Sequence, residues 1–143
     1  MGAVPVILRT LRDQFEAESL TRRPSPGEWA AVEVIAHLAD GEEWALRRVK
    51  RMLAEDDPAL EPFDQAALAV ERRYLGLDAD DELARFERLR AEHLAILDGL
   101  DEAGWKRAGM HGEHGRMTVE LYESHVAAEE VDHLAQLSRL LGS

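Results

Sequence analysis

The chain contains no cysteine. That excludes disulfides, thiolate metal ligands and a cysteine nucleophile, and leaves any thiol chemistry to an added small molecule. Basic residues are also scarce, with 17 Lys and Arg against 29 Asp and Glu and a formal net charge of −12. Such a field repels phosphate backbones, so no nucleic-acid partner is expected. One local group of cations, Arg47, Arg48, Lys50 and Arg51, falls toward the end of a predicted helix, where the helix dipole favours positive charge. No segment approaches the roughly 18 consecutive apolar residues of a membrane span. The apolar stretch Ala3 to Leu8 is short, has no basic region before it and reads as a helix start rather than a signal peptide. Gly2 does not begin a myristoylation signal, because Val6 stands where Ser or Thr is needed. The expectation is a cytoplasmic protein without a membrane partner. A glycine-rich phosphate loop, a nucleophile elbow and an aromatic-basic stripe are likewise missing.

What is present is a strong helical pattern. A chain of 143 residues, 45% hydrophobic and 32% charged, has the size of one domain and can bury a real core, so a single domain over 1–143 is expected. Leu8, Leu11 and Phe15 predict a first helix from Pro5 to Leu20. After a Pro- and Gly-containing turn, Val32, Ile35, Leu38, Leu46, Val49 and Leu53 mark a long second helix from Ala30 to Ala54. A short helix is predicted over Gln65 to Leu75, ended by Gly76. The acidic run Asp78 to Glu82 caps a helix carrying Leu83, Phe86, Leu89, Leu94, Leu97 and Leu100. Gly104 to Met117 reads as a loop, and Thr118 as the cap of a last helix ending near Leu141. Four long helices without a strand signal predict an all-α four-helix bundle, with a long crossover between the second and third long helices.

The chemistry concentrates in six histidines: His37, His93, His111, His114, His125 and His133. Glu129 and His133 stand four apart, so their side chains leave one side of the last helix a turn apart and can converge on one ion. His37 lies roughly 10 Å into its helix and His133 roughly 12 Å from the end of its own, so the two fall at one level if those helices are antiparallel neighbours. The same spacing also suits a surface ion pair. Glu130, three residues before His133, is an alternative carboxylate. His37 shares a side arc of its helix with Ala30, Gly41 and Trp44, and this arc must face something other than solvent. His125 reads as a partner of Glu129 or a partly exposed helix residue, and His93 as a core-edge residue. Asp40 and Gln136 either support the ligands or are solvated, and Glu33 fits a helix-start role. His111 and His114 lie in the loop before the last helix, about 20 Å from the ligands by helix rise, and read as structural. Di-iron bundles need two Glu-x-x-His motifs, and this chain has one, Glu130 to His133.

Three stretches together resemble a known family. Pro26 to Glu42, containing Trp29, His37 and Asp40, is similar to the second-helix signature of the DinB/YfiT-like metalloenzyme superfamily. Trp105 to His111, with Gly115 and Thr118, resembles its loop before the last helix, and His125 to Gln136 its final-helix motif. The resemblance implies an up-down-down-up four-helix bundle with one metal ligand on the second helix and two, four residues apart, on the last. In this sequence they fall on His37, Glu129 and His133, one ion per chain. Many members carry histidine where Glu129 stands. A subgroup resembling mycothiol-dependent maleylpyruvate isomerases carries glutamate, giving two histidines and one carboxylate, a set that suits zinc, nickel or iron. The implied function is a divalent-metal-dependent enzyme acting on a small molecule, either a hydrolase or a transferase or isomerase using a low-molecular-weight thiol. The rival reading is a non-catalytic, stress-associated metal-binding bundle, and in either case a homodimer is an option.

Overall fold

A computed structural model describes residues 2–142. Four long helices, α1 (Val4–Asp13), α2 (Ala31–Ala54), α4 (Ala79–Asp98) and α6 (Val119–Leu140), build the bundle. Two short helices, α3 (Gln65–Glu71) and α5 (Glu102–Trp105), lie in the connections. Side-chain pairs fix the directions. Arg9 meets Glu87 and Arg12 meets Asp80, so α1 and α4 run antiparallel. Asp40 meets Arg85 and Lys50 meets Glu92, so α2 and α4 run parallel. His37 meets His133 and Arg48 meets Tyr122, so α2 and α6 run antiparallel. The order is therefore up-down-down-up, and the parallel pair requires the long crossover.

Polar caps start the helices. Asp64, Asp78, Asp101 and Thr118 each accept a hydrogen bond from the backbone N–H three residues on, covering donors that the first turn leaves unpaired. At the start of α2 the Glu33 carboxylate reaches back to the Ala30 N–H at 3.0 Å and also takes Arg23, the helix-start role its position suggests.

Two predicted helices are shorter than their periodicity suggests. The first stops at Asp13, and Ala17–Thr21 forms a separate 3-10 turn. In one continuous helix Leu20 would sit about 120° around from Leu8; the break lets Leu8, Phe15 and Leu20 enter the same core. The crossover helix α3 ends at Glu71, and a left-handed Arg73 (φ 53°) turns the chain into a 3-10 turn, Tyr74–Gly76. This aims Tyr74 into the bundle, where its hydroxyl donates to Asp40.

The predicted loop before α6 contains a β-hairpin, β1 (Ala108–His111) with β2 (Gly115–Thr118), paired antiparallel from Ala108–Thr118 to His111–Gly115. Gly115 (φ 71°) supplies the left-handed residue that closes its tight turn. The crossover pairs with its edge: Leu60 N–H donates to Met110 O and Met110 N–H to Pro58 O. Gly109 permits this approach, because a Cβ there would stand 2.8 Å from Leu60 Cδ2 and 3.0 Å from Met52 Cγ. No described helix is long and apolar enough to cross a membrane.

The core falls into two apolar clusters. One gathers Leu8, Ile35, Leu38, Leu83, Phe86 and Leu137, the other Val49, Met52, Leu60, Leu97, Met117 and Tyr122. Between them along α2, α4 and α6 lie Glu42, Arg90, His93, Glu123 and Glu130, all buried.

Candidate metal centre

The side arc of α2 faces the crossover rather than solvent. Phe63 stacks on His37 (5.7 Å between ring centroids) and on Trp44 (5.6 Å), and Trp29 flanks His37 from the other side at 5.2 Å. A cavity of about 540 Å³ opens between this aromatic wall, α6 and the hairpin tip. Its lining includes His37, Arg48, Phe63, Tyr122, Glu129, Glu130 and His133, and also His111, His114 and His125.

Within it the level match of His37 and His133 holds. Their Nε2 atoms lie 3.0 Å apart. Two nitrogens on one tetrahedral ion at 2.0–2.1 Å would be about 3.3 Å apart, so the pair is near ligand spacing. His133 Nδ1 is 3.0 Å from the Gln136 carbonyl oxygen, which can only accept. The proton of neutral His133 therefore sits on Nδ1, and its Nε2 offers a lone pair. Burial, and secondarily the neighbouring His133, lower the His37 pKa to about 4, so His37 is neutral near pH 7, the form that binds metals. His37 Nδ1 is buried and has no hydrogen-bond partner among the described residues. Gln136 is thus hydrogen-bonded to His133.

Glu129 lines the same cavity, but its carboxylate is turned away from the histidine pair. Its side chain is 62% exposed, and Oε1 lies 3.2 Å from His125 Nε2. Glu130 points inward and pairs with Arg90, which also donates to Glu42 at 2.8 Å. Burial raises the Glu130 pKa, and Arg90 only partly offsets this. No third His, Asp or Glu closes around His37 and His133 among the described residues.

Asp40 belongs neither to solvent nor to the ligands. It is buried under Arg72, Arg85 and Tyr74, and these partners hold its pKa down against the cost of burial. His93 is no core-edge residue. It is fully buried, with Nδ1 2.6 Å from Glu42 and Nε2 2.6 Å from Glu123, and the two carboxylates overcome desolvation to raise its pKa to about 9. The sequence held a signal for this: Leu83, Phe86, Arg90, His93 and Leu97 form a helical stripe at three- and four-residue spacing, with two polar residues at core positions.

The hairpin histidines are also displaced from their expected place. The 20 Å separation assumes that the loop continues beyond the start of α6. Instead β2 runs straight into α6 and the hairpin doubles back alongside it. His111 and His114 meet His125, with ring centroids 4.7 Å (His111–His114), 4.9 Å (His114–His125) and 5.8 Å (His111–His125) apart.

An up-down-down-up bundle with paired histidines from its second and last long helices defines the class. Residues 4–137 match the DinB superfamily, and the chain belongs to it. It is 28% identical over 144 residues to a Bacillus subtilis (strain 168) protein named "Putative metal-dependent hydrolase YfiT", an alignment covering 97% of this chain and 80% of YfiT. A Geobacillus kaustophilus (strain HTA426) protein of the same description is 28% identical over 138 residues, covering 96% and 78%. The solved structure of YfiT, with its "unusual four-helix bundle topology", matches at a TM-score of 0.82 and 28% identity over 98% of this chain and 82% of YfiT. A second four-helix bundle protein, TT2238, shares the fold at a TM-score of 0.69 and 21% identity, covering 96% and 92%.

Proposed function

We propose that this chain is a divalent-metal-dependent enzyme of the hydrolase type, acting on a small molecule in the cavity, with its ion held by His37, His133 and Glu129. The observation that carries the reading is the convergence of two imidazole Nε2 atoms at 3.0 Å on a cavity wall. His37 and His133 supply neutral nitrogen donors, and Gln136 fixes the His133 tautomer. Glu129, a turn before His133 and exposed, needs only a rotamer change to exchange His125 for the ion. A set of two imidazoles and one carboxylate suits zinc or nickel, and also iron. Such an ion lowers the pKa of a bound water or thiol enough to make a nucleophile at neutral pH. The aromatic wall of Trp44 and Phe63 shields that position from bulk water, and Arg48 brings a cation to the cavity rim. Among the described residues no further His, Asp or Glu closes around the histidine pair, an arrangement that suits an open catalytic ion better than the protein-filled shell of the rival non-catalytic bundle.

The test is the metal content of untagged protein. His37→Ala and His133→Ala should each lose one ion per chain, and Glu129→Gln should bind that ion at least tenfold more weakly. If Glu130→Gln abolishes binding while Glu129→Gln does not, the carboxylate is Glu130. If neither histidine variant loses an ion, the reading fails.

A second reading, use of a low-molecular-weight thiol, is favoured by the absence of cysteine, which leaves no internal thiolate for the ion. Cobalt-substituted protein should then develop intense sulfur–cobalt absorption with millimolar thiol; an unchanged spectrum with several thiols rejects it.

A further inference from the structure

We infer that His111, His114 and His125 form a second metal site, specific for ions that prefer imidazole nitrogen, at the mouth of the cavity. None of these imidazoles belongs to the His37 and His133 pair, so the inference stands apart from the reading above. One ligand nitrogen from each of the three lies within 4.8 Å of the others. A tetrahedral ion draws such atoms to about 3.3 Å, so the three nitrogens stand within about 1.5 Å of ligand spacing.

The cluster is assembled by long-range structure, not by chance neighbours on one helix. His111 ends β1, His114 stands in the hairpin turn, and His125 is on α6, two turns beyond the Thr118 cap. The hairpin is held at this place independently of the histidines, by its pairing with Pro58 and Leu60 and by the close approach at Gly109. The three rings meet tilted or edge to face rather than in a stack. The donors are all nitrogen, which suits zinc, copper or nickel and disfavours magnesium and calcium. His114 is exposed, and His111 and His125 are half-buried, so the site faces solvent on one side and can exchange its ion.

Two further contacts shape the site. Glu129 Oε1, 3.2 Å from His125 Nε2, already stands at the spacing of two ligands on one ion. His111 Nδ1 accepts long hydrogen bonds from the backbone N–H groups of Glu113 (3.1 Å) and His114 (3.3 Å). Ligation by this residue costs those two bonds, through Nδ1 directly or by turning the ring over to present Nε2.

The experiment is a zinc titration of untagged, chelator-stripped protein, read by calorimetry and by metal analysis after dialysis. The wild type should bind two ions per chain. His111→Ala/His114→Ala, which alters only the hairpin tip, should bind one, and so should His125→Gln. His37→Ala/His133→Ala should also bind one, the other. Two ions retained in both hairpin-cluster variants would overturn the inference. So would a single ion in the wild type that is lost only with His37 and His133, a result that leaves the proposed function intact. A single ion lost only with the hairpin cluster would support the inference and overturn the proposed function instead.

Discussion

At the residue scale, the most informative side chain outside the metal centre is His93. It bridges Glu42 and Glu123 in the buried layer between the two apolar clusters, and its pKa is raised from 6.5 to about 9. A histidine whose folded pKa lies above its unfolded value stabilises the fold fully below pH 6.5, and that contribution is lost as pH rises through about 9. The shift corresponds to an effect on the order of 3 kcal/mol. Urea unfolding of the wild type should therefore show stability falling between pH 6.5 and 9, and His93→Gln should flatten that slope even if it is less stable overall. An unchanged slope in the variant would place the titration elsewhere. The same residue shows where sequence reading stops. A histidine on the core stripe of α4 is visible from spacing, but its partners come from α2 and α6 and are known only once the helices are packed.

At the scale of elements, helix positions were legible because apolar spacing and caps agree. The 3.6-residue period located α2, α4 and α6 to within a residue or so, and Asp78 and Thr118 cap as their positions suggest. Glycine and turn residues marked the loop before α6, but two four-residue strands carry too little periodicity to be seen, and the pairing partner of β1 in the crossover is some fifty residues away in sequence. For that reason His111 and His114 read as remote. The hairpin's place depends on Gly109. Gly109→Val would drive a side chain into Leu60 and Met52, at a cost of about 1–3 kcal/mol. We expect a urea midpoint lowered accordingly, faster amide exchange at Leu60 and Met110, and weaker zinc binding by the hairpin cluster. Full protection of those two amides in the variant would show that the hairpin docks without the close approach.

At the scale of the whole molecule, the family resemblance and the physics of the bundle meet at one point. The parallel placement of α2 and α4 requires a long crossover, and that crossover brings Phe63 against His37 and closes the cavity on α6. Antiparallel packing of α2 and α6 brings His37 and His133 to one level, which helix rise alone suggested. Side-chain direction did not follow from the pattern: the contrast between Glu129, turned outward to His125, and Glu130, turned inward to Arg90, is decided by a buried cation on a third helix. The central claim is that an ion sits between the second and last long helices. Anomalous diffraction at the zinc or nickel edge, from crystals of untagged protein grown with that metal, tests it most directly. The account predicts a peak about 2.0–2.2 Å from Nε2 of both His37 and His133, with a carboxylate oxygen of Glu129 turned toward it. Density from crystals grown at saturating metal that shows the two imidazoles still hydrogen-bonded to each other, with no anomalous peak between them, would contradict it.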